Sequence, residues 1–430
     1  MMMNEQKEYK ARIADLMLHN QLEAAGAVLI QGPKWCGKTT TAEQAAKSIL
    51  YMDQPSRLAA NLMLAENEPE ILLEGETPRL IDEWQLAPQL WDAARFVVSH
   101  RGKTGQFVFT GSSVPPDQSK ITHTGTGRFA WLTMRPMSLW ESGESNGNVS
   151  LGRLFEGGKL KTAISPELSL SALSEILCRG GWPGSLYLSP QAALRQTVNY
   201  VEAICHSDIS RVDGVNRDAG FARRLLRSYA RHQGTQAPLR TLYADLSAGQ
   251  EGAMSEETIS SYLAALRKIF VIEEMPAWNP NLRSRTAIRT SDTRYFIDPS
   301  IASAALGLGP KDLMGDLNTF GLLFEAMAIR DLRVYADALD GEVFHYRDAN
   351  GLECDAVVHL RNGRYGLVEI KLGGERLEAE GAATLKKLAS KIDTSKMQEP
   401  SFMMVLTAVG AYAYQRPDGV SVVPISCLKD

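Results

Sequence analysis

Three groups of residues in this 430-residue chain have the types and spacing to do chemistry. The first is Gly32-Pro33-Lys34-Trp35-Cys36-Gly37-Lys38-Thr39, which fits G-x-x-x-x-G-K-[ST]. The glycines let the backbone wrap, so that several N–H groups and the N-terminus of the next helix point at one anion. On this reading Pro33, Lys34, Trp35 and Cys36 form the body of a phosphate-binding loop and Thr40 closes its lining. Lys38 sets a point charge on the β- and γ-phosphates of a nucleoside triphosphate, and the Thr39 hydroxyl is placed for Mg²⁺. The second group is Asp82-Glu83, at the end of the short apolar run in Pro78-Arg79-Leu80-Ile81. Asp82 suits a metal ligand, and Glu83 suits the base that orients and deprotonates a water. The third is Glu325, Asp355, Glu369 and Lys371, three acids and a lysine far along the chain.

These residues need a scaffold. Gly26 to Ile30 reads as a buried strand, Thr40 to Leu50 as a helix, and residues 9–24 as a leading helix with apolar positions at helical spacing. In a parallel sheet, ligands gather at the carboxyl ends of the strands, so acids ending the strand at Ile81 belong beside the loop that ends the first strand. Asp82 also suits the entry to a helix from Ala87 to Ser99. A third strand, Gln106 to Thr110, ends in Thr110-Gly111-Ser112-Ser113 and should neighbour the first, bringing the Thr110 hydroxyl to the γ-phosphate. Arg128 precedes a further strand; it is either a phosphate-reaching arginine, in this chain or a neighbouring subunit, or a plain charge at a strand start.

Composition bounds the rest. Hydrophobic content of 44%, charged content of 22% and a net charge of -4 describe a globular protein with no overall bias toward polyanions. Five scattered cysteines without C-x-x-C spacing argue against a disulfide framework or structural zinc, and fit a reducing cytoplasm. No apolar run approaches the ~20 residues of a bilayer span, so neither secretion nor a membrane partner is expected. The length calls for several domains.

The order G-P-K-W-C-G-K-T, L-I-D-E-W-Q, F-V-F-T-G-S-S, T-G-R-F and M-R-P-M-S-L-W-E resembles the archaeal- and bacterial-type ATPases with an AAA-like core, over essentially the whole chain. In many of these a winged helix and a C-terminal domain of unknown function follow. The resemblance implies ATP and Mg²⁺ as ligands, phosphate binding by Gly32, Gly37, Lys38 and Thr39, metal at Asp82, water activation by Glu83 and γ-phosphate sensing by Thr110. Arg128 falls on the family's Gly-Arg step. Gly180-Gly181-Trp182-Pro183-Gly184 is similar to the Gly-Gly-x-Pro turn of the family's helical lid, and reads equally as a helix connector or a nucleotide contact. The expected fold is multidomain α/β: a P-loop core with a parallel sheet (1–140), a helical lid (141–215), a winged helix (216–305) and a restriction-endonuclease-like domain (306–430).

From Phe221 to Tyr295 eleven Arg and Lys face seven Asp and Glu, a local +4 in an acidic chain. A helix from Ser255 to about Arg267, a strand Phe270 to Glu274, a loop carrying Arg283, Arg285 and Arg289 and a strand Tyr295 to Ile297 follow the layout of a winged helix. Its partner is DNA, or the segment merely joins domains. In the last domain Glu369 and Lys371 lie two apart and so share a strand face. Asp355, thirteen residues, then E-x-K, with Glu325 on a preceding helix, resembles the restriction-endonuclease-like nucleases. That implies a second divalent ion, Mg²⁺ or Mn²⁺, held by Glu325, Asp355 and Glu369, with Lys371 activating water. The alternative is an inactive descendant that binds a protein partner.

Overall fold

The sequence alternation of the first strand decides how its sheet is covered. Val28 and Ile30 point to one face and Ala27 and Leu29 to the other, and all are buried, as strands sandwiched between helices require. A computed structural model describes residues 9–111, 125–158, 160–247, 255–280 and 291–430. They group into two units: 1–136 with 203–219 and 261–271, and 137–202 with 220–260 and 272–430.

The first unit holds five parallel strands, β1 (Ala27–Gln31), β2 (Ser48–Tyr51), β3 (Arg79–Asp82), β4 (Phe107–Gly111) and β5 (Phe129–Thr133), in the order β2-β3-β4-β1-β5. The strand carrying Thr110 does neighbour the first, with Ile30 opposite Thr110. Val28, Ile30, Leu80, Val108 and Leu132 pack on helix Ile13–Ala24. Ala27, Leu29, Ile81, Phe107 and Phe109 pack on helix Gln89–Arg101 through Trp91, Ala94 and Val98. The helix expected over Thr40 to Leu50 runs instead over Lys38–Ala45 and stops at Ala46, whose backbone is extended. The residues Ile49, Leu50 and Tyr51 belong to β2, the edge strand, for which β-branched and aromatic side chains are suited.

In the second unit two very short strands come first, β6 (Val149–Ser150) and β7 (Ala163–Ile164). They are followed by β8 (Gly341–Arg347), β9 (Glu353–Leu360), β10 (Tyr365–Lys371), β11 (Phe402–Thr407), β12 (Tyr412–Gln415), β13 (Ser421–Pro424) and β14 (Leu428–Lys429). Seven of these form a mixed sheet in the order β7-β12-β13-β11-β10-β9-β8. Helix Glu375–Ala389 lies on it through Ala382, Leu385 and Leu388. Residues 141–169, read from the sequence as part of a helical lid, differ in one respect. Ala163 and Ile164 of β7 pair with Ala413 and Tyr412, and β6 pairs with β14. Two-residue strands have no periodicity to read, so only the distant partner reveals them.

The middle of the chain carries helices Ala219–Arg231, Leu239–Ser247 and Glu256–Lys268. The strand expected at Phe270 to Glu274 does not form as such: Phe270 has left-handed backbone (φ 57°), and only Ile272 and Met275 make antiparallel bridges, to Phe296 and Thr293. Arg283, Arg285 and Arg289 lie outside the described residues.

Candidate nucleotide site and a second acidic cluster

The loop after β1 needs its glycines for definite reasons. A Cβ on Gly32 would stand 2.1 Å from the Met134 carbonyl oxygen, and Gly37, at φ 101°, caps helix Lys38–Ala45 in a left-handed conformation. Within this loop Lys38 is 6% exposed and donates to the Gly32 and Pro33 carbonyls at 3.0 and 2.7 Å. The ammonium thus sits inside the wrap, where a phosphate would replace neutral carbonyls as its acceptor. Lys34 and Trp35 face outward, Cys36 is buried against Met134, and Thr40 is exposed one residue past Thr39.

Two other elements converge on Asp82 at the carboxyl end of β3. Thr39 donates to its Oδ1 at 2.8 Å and Thr110 at 2.5 Å. Burial raises the Asp82 carboxyl above its ordinary pKa, the two hydroxyls oppose the rise, and the charges of Asp53 and Glu43 add to it. Burial also raises Glu83, followed by the charge of Asp82, while a hydrogen bond from Gln85 and the charge of Lys38 pull it down. Glu83 has left-handed backbone (φ 54°, ψ 41°), a conformation uncommon for a residue with a Cβ, which turns it out of line with the strand that carries Asp82. The fit to Mg²⁺ is chemical: a hydroxyl and a carboxylate held together, with a desolvation and repulsion that a divalent cation relieves. Thr39 and Asp82 would hold it.

Gln85 was not singled out by sequence reasoning, although it belongs to the same L-I-D-E-W-Q run. Its Nε2 donates to Glu83, and its Oε1 is buried without a partner among the described residues. Arg12 was missed as well: it donates to the Cys36 and Arg135 carbonyls at 2.7 and 2.9 Å, and nothing in sequence ties it to a loop so far ahead.

Within this chain Arg128 stands as the plain charge at a strand start, the second of its two readings. Its carbonyl accepts from Gly26 and Ala27, so it stands at the amino end of the parallel sheet, whereas the loop leaves β1 after Gln31. Five residues at about 3.3 Å each put roughly 16 Å between the two ends. Its Nε donates to Ser99 at 3.1 Å, and it does not serve this chain's own phosphate site. The Gly180-Gly181-Trp182 turn likewise resolves toward structure. Gly181 N–H donates to Asp298 at 3.0 Å and the buried Trp182 donates to Ser300 at 3.0 Å, while Arg330 bridges Asp298 and Asp331.

The second cluster is assembled as the strand arithmetic requires. Val368 pairs with Ala356, which brings Asp355 of β9 beside Glu369 of β10. Lys371 Nζ lies 2.6 Å from Glu369 and 3.1 Å from Asp355, and the Ile370 N–H donates to Asp355 at 2.7 Å. Glu325, from helix Leu317–Ala338, accepts from the buried Tyr295 hydroxyl at 2.5 Å. Burial, then the charge of Asp355, pushes both Glu325 and Glu369 up to about 8, and the two carboxylates raise Lys371 in turn despite its burial. Lys371 Nζ thus lies between two of the three acids that the sequence assigns to a cation. Among the described residues no group of three or more His, Cys, Asp or Glu has an arrangement to hold a metal ion. A second divalent ion on Glu325, Asp355 and Glu369 is not supported by this arrangement.

The basic stretch is also less free than its count implies. Arg223 pairs with Glu202, Arg231 with Asp245 at 3.8 Å, and the buried Arg294 with Glu274 at 3.2 Å. Among the described residues no helix is long and apolar enough to cross a membrane.

Residues 24–142 match the AAA domain family, and they span the loop, all five strands, and the Asp82–Thr110 convergence. Residues 24–142 are thus similar to a P-loop AAA domain. Beyond it, residues 170–312 match a domain of unknown function, DUF8612, and residues 320–428 match another, DUF4143. Uncharacterized proteins of Mycobacterium tuberculosis and Mycobacterium bovis are each 23% identical over 366 residues, covering 84% of this chain and 73% of theirs. Among solved structures, a Walker-type ATPase of Pyrococcus abyssi aligns over 70% of this chain and 97% of its own, at 14% identity and a TM-score of 0.43. That likeness implies ATP as a ligand, which suits the wrapped loop and its buried lysine.

Proposed function

We propose that the protein hydrolyses ATP in its AAA domain and uses the nucleotide cycle to control a C-terminal module that binds a partner without cutting it. The observation that supports hydrolysis is the meeting of Thr39, Asp82 and Thr110 beside a buried Lys38, with Glu83 next in sequence to Asp82. Lys38 exchanges its loop carbonyls for the β- and γ-phosphates. Mg²⁺, when bound, neutralises phosphate charge and orients the triphosphate. Thr39 and Asp82 hold that ion, Thr110 contacts the γ-phosphate, and Glu83 takes a proton from the attacking water; its raised pKa makes it a better base than an exposed glutamate.

The non-cleaving reading of the C-terminal module is supported by Lys371, whose ammonium satisfies Asp355 and Glu369 where a nuclease would need a metal. A second reading, a winged helix and an endonuclease-like domain acting on DNA, draws on the local +4 between Phe221 and Tyr295. One set of measurements separates them: ATP turnover and DNA integrity, with and without DNA and Mn²⁺, for the parent and Glu83→Gln. Hydrolysis is expected in the parent and a fall of about 10²-fold or more in Glu83→Gln with ATP still bound. A parental rate in that variant overturns the role of Glu83. Mn²⁺-dependent DNA cleavage overturns the non-cleaving module. For the DNA reading, replacing Arg283, Arg285 and Arg289 should flatten log affinity against log salt by about 0.9 for each phosphate no longer neutralised.

A further inference from the structure

The phosphate loop is held by interactions of two kinds. Its second half is clamped by residues no nucleotide would disturb: Arg12 donates to the Cys36 carbonyl and the Cys36 thiol to the Met134 carbonyl. Its first half is held from inside by Lys38, on the carbonyls of Gly32 and Pro33. That hold is given up when Lys38 turns to phosphate. What then keeps Gly32 to Lys34 in place is an ion pair from an element far along the chain: Lys34 Nζ lies 2.7 Å from Asp208 Oδ1.

Asp208 is built to be rigid. Its side chain is 9% exposed and accepts also from Ser207 at 3.3 Å. It ends a π-helical turn, Ile204–Asp208, a rare distortion that commonly marks functional sites. Ile204, Cys205 and Ile209 around it are buried in the core. Arg217 ties the following turn down by donating to the Ile209 carbonyl at 2.7 Å and to both oxygens of Asp213 at 2.6 and 2.8 Å. The loop needs such an anchor. Trp35, directly after Lys34, is 49% exposed at φ 67°, a left-handed conformation that a tryptophan adopts only when its neighbours hold it there.

Resting on the ATP reading above, we propose that Asp208 is a positioning residue of the nucleotide site, which pins Lys34 and so keeps the first half of the loop wrapped for phosphate once Lys38 has been drawn away. Its contribution is to binding and not to the chemical step, since it faces the outer side chain of the loop and not Glu83 or Asp82.

The test uses the full-length protein, titrating ADP and ATP by calorimetry and measuring steady-state hydrolysis. Asp208→Asn should raise the ADP Kd and the ATP KM about tenfold, with kcat within about threefold of the parent, because it removes a charge-assisted hydrogen bond that orders the loop. The swap Lys34→Asp with Asp208→Lys restores the pair with its polarity reversed and should recover most of the affinity. If Asp208→Asn does not fold, Lys34→Met, altering a side chain 44% exposed, carries the same expectation from the other partner. An unchanged Kd in both variants, or a fall in kcat at constant KM, overturns the proposal while leaving ATP hydrolysis intact. A swap no better than the single variants overturns it too. A parent that binds neither nucleotide overturns this proposal and the ATP reading together.

Discussion

Among the described residues, the carboxylates around Asp82 and those around Asp355 each have a lysine nearby, and they are satisfied in opposite ways. Around Asp82 the acid is met by two neutral hydroxyls, and Lys38 donates its protons to loop carbonyls. Around Asp355 the lysine is already placed between the acids, 2.6 and 3.1 Å from Glu369 and Asp355. The first arrangement leaves cation and anion unsatisfied by each other, ready for a ligand that carries both phosphate and metal. The second closes on itself. Carboxyl groups and a lysine in the same neighbourhood therefore say little until their mutual pairing is known.

Removing the lysine should break the two sites to very different degrees. Lys371→Met takes the cation from the buried Glu369 and the partly exposed Asp355, and unfolding by urea should show a loss of about 2 kcal/mol, less than the ~3–5 kcal/mol of a fully buried pair. Lys38→Met leaves only carbonyls, so its stability loss should be much smaller. Equal losses would mean that Lys371 is not paired as described.

The pH dependence sharpens the same contrast. Glu325 and Glu369 have folded-state pKa values of about 8, above the ~4.3 of an unfolded glutamate. Between those values the folded protein holds protons that the unfolded chain releases. Their contribution to stability is thus full below about pH 4 and lost as pH rises toward 8, with a slope of up to about 1.4 kcal/mol per pH unit for each proton retained. The acids repel one another, so they titrate as a coupled set and not one at a time. Urea unfolding at pH 5.5, 6.5 and 7.5 should give falling stability, and Glu325→Gln should flatten the trend. Rising stability over that range would contradict the cluster as a proton holder.

The smallest effect is expected at Gln85. It donates to Glu83 and stabilises the charged form, so Gln85→Leu should move the acid limb of the kcat profile to higher pH, leaving ATP affinity near that of the parent. An unmoved limb would separate Glu83 from Gln85 in function.

Much of the AAA domain was legible because its signals are local. The loop, the strand that precedes it and the acids ending a second apolar run lie within short windows, and a parallel sheet forces their ends to one edge. The alternation of Asp355, Glu369 and Lys371 was legible for the same reason: strand geometry fixes the face on which a residue falls. Arg128 falls on the second of the readings open to it, a charge at a strand start, because a residue entering a strand parallel to the first stands at the amino end of the sheet, away from the phosphate loop. The strand Ser48–Tyr51 was hidden within a run that continues a helix in composition, and Phe270 took a left-handed turn that no propensity foretells.

By itself, the sequence pointed to a phosphate loop, because two glycines, a lysine and a threonine at fixed spacing lie between an apolar strand and a helix. It pointed to the sheet that carries them, because a strand apolar on both faces suits a sheet covered on both sides, as parallel sheets are. Only the tertiary structure decided which residues those groups face. Arg12 and Asp208 reach the loop from opposite directions along the chain, and Lys371 meets Asp355 across two strands. Pairing of charges depends on distances of a few ångströms between residues far apart in sequence, and it is this pairing that separates a site open to a ligand from one that satisfies itself.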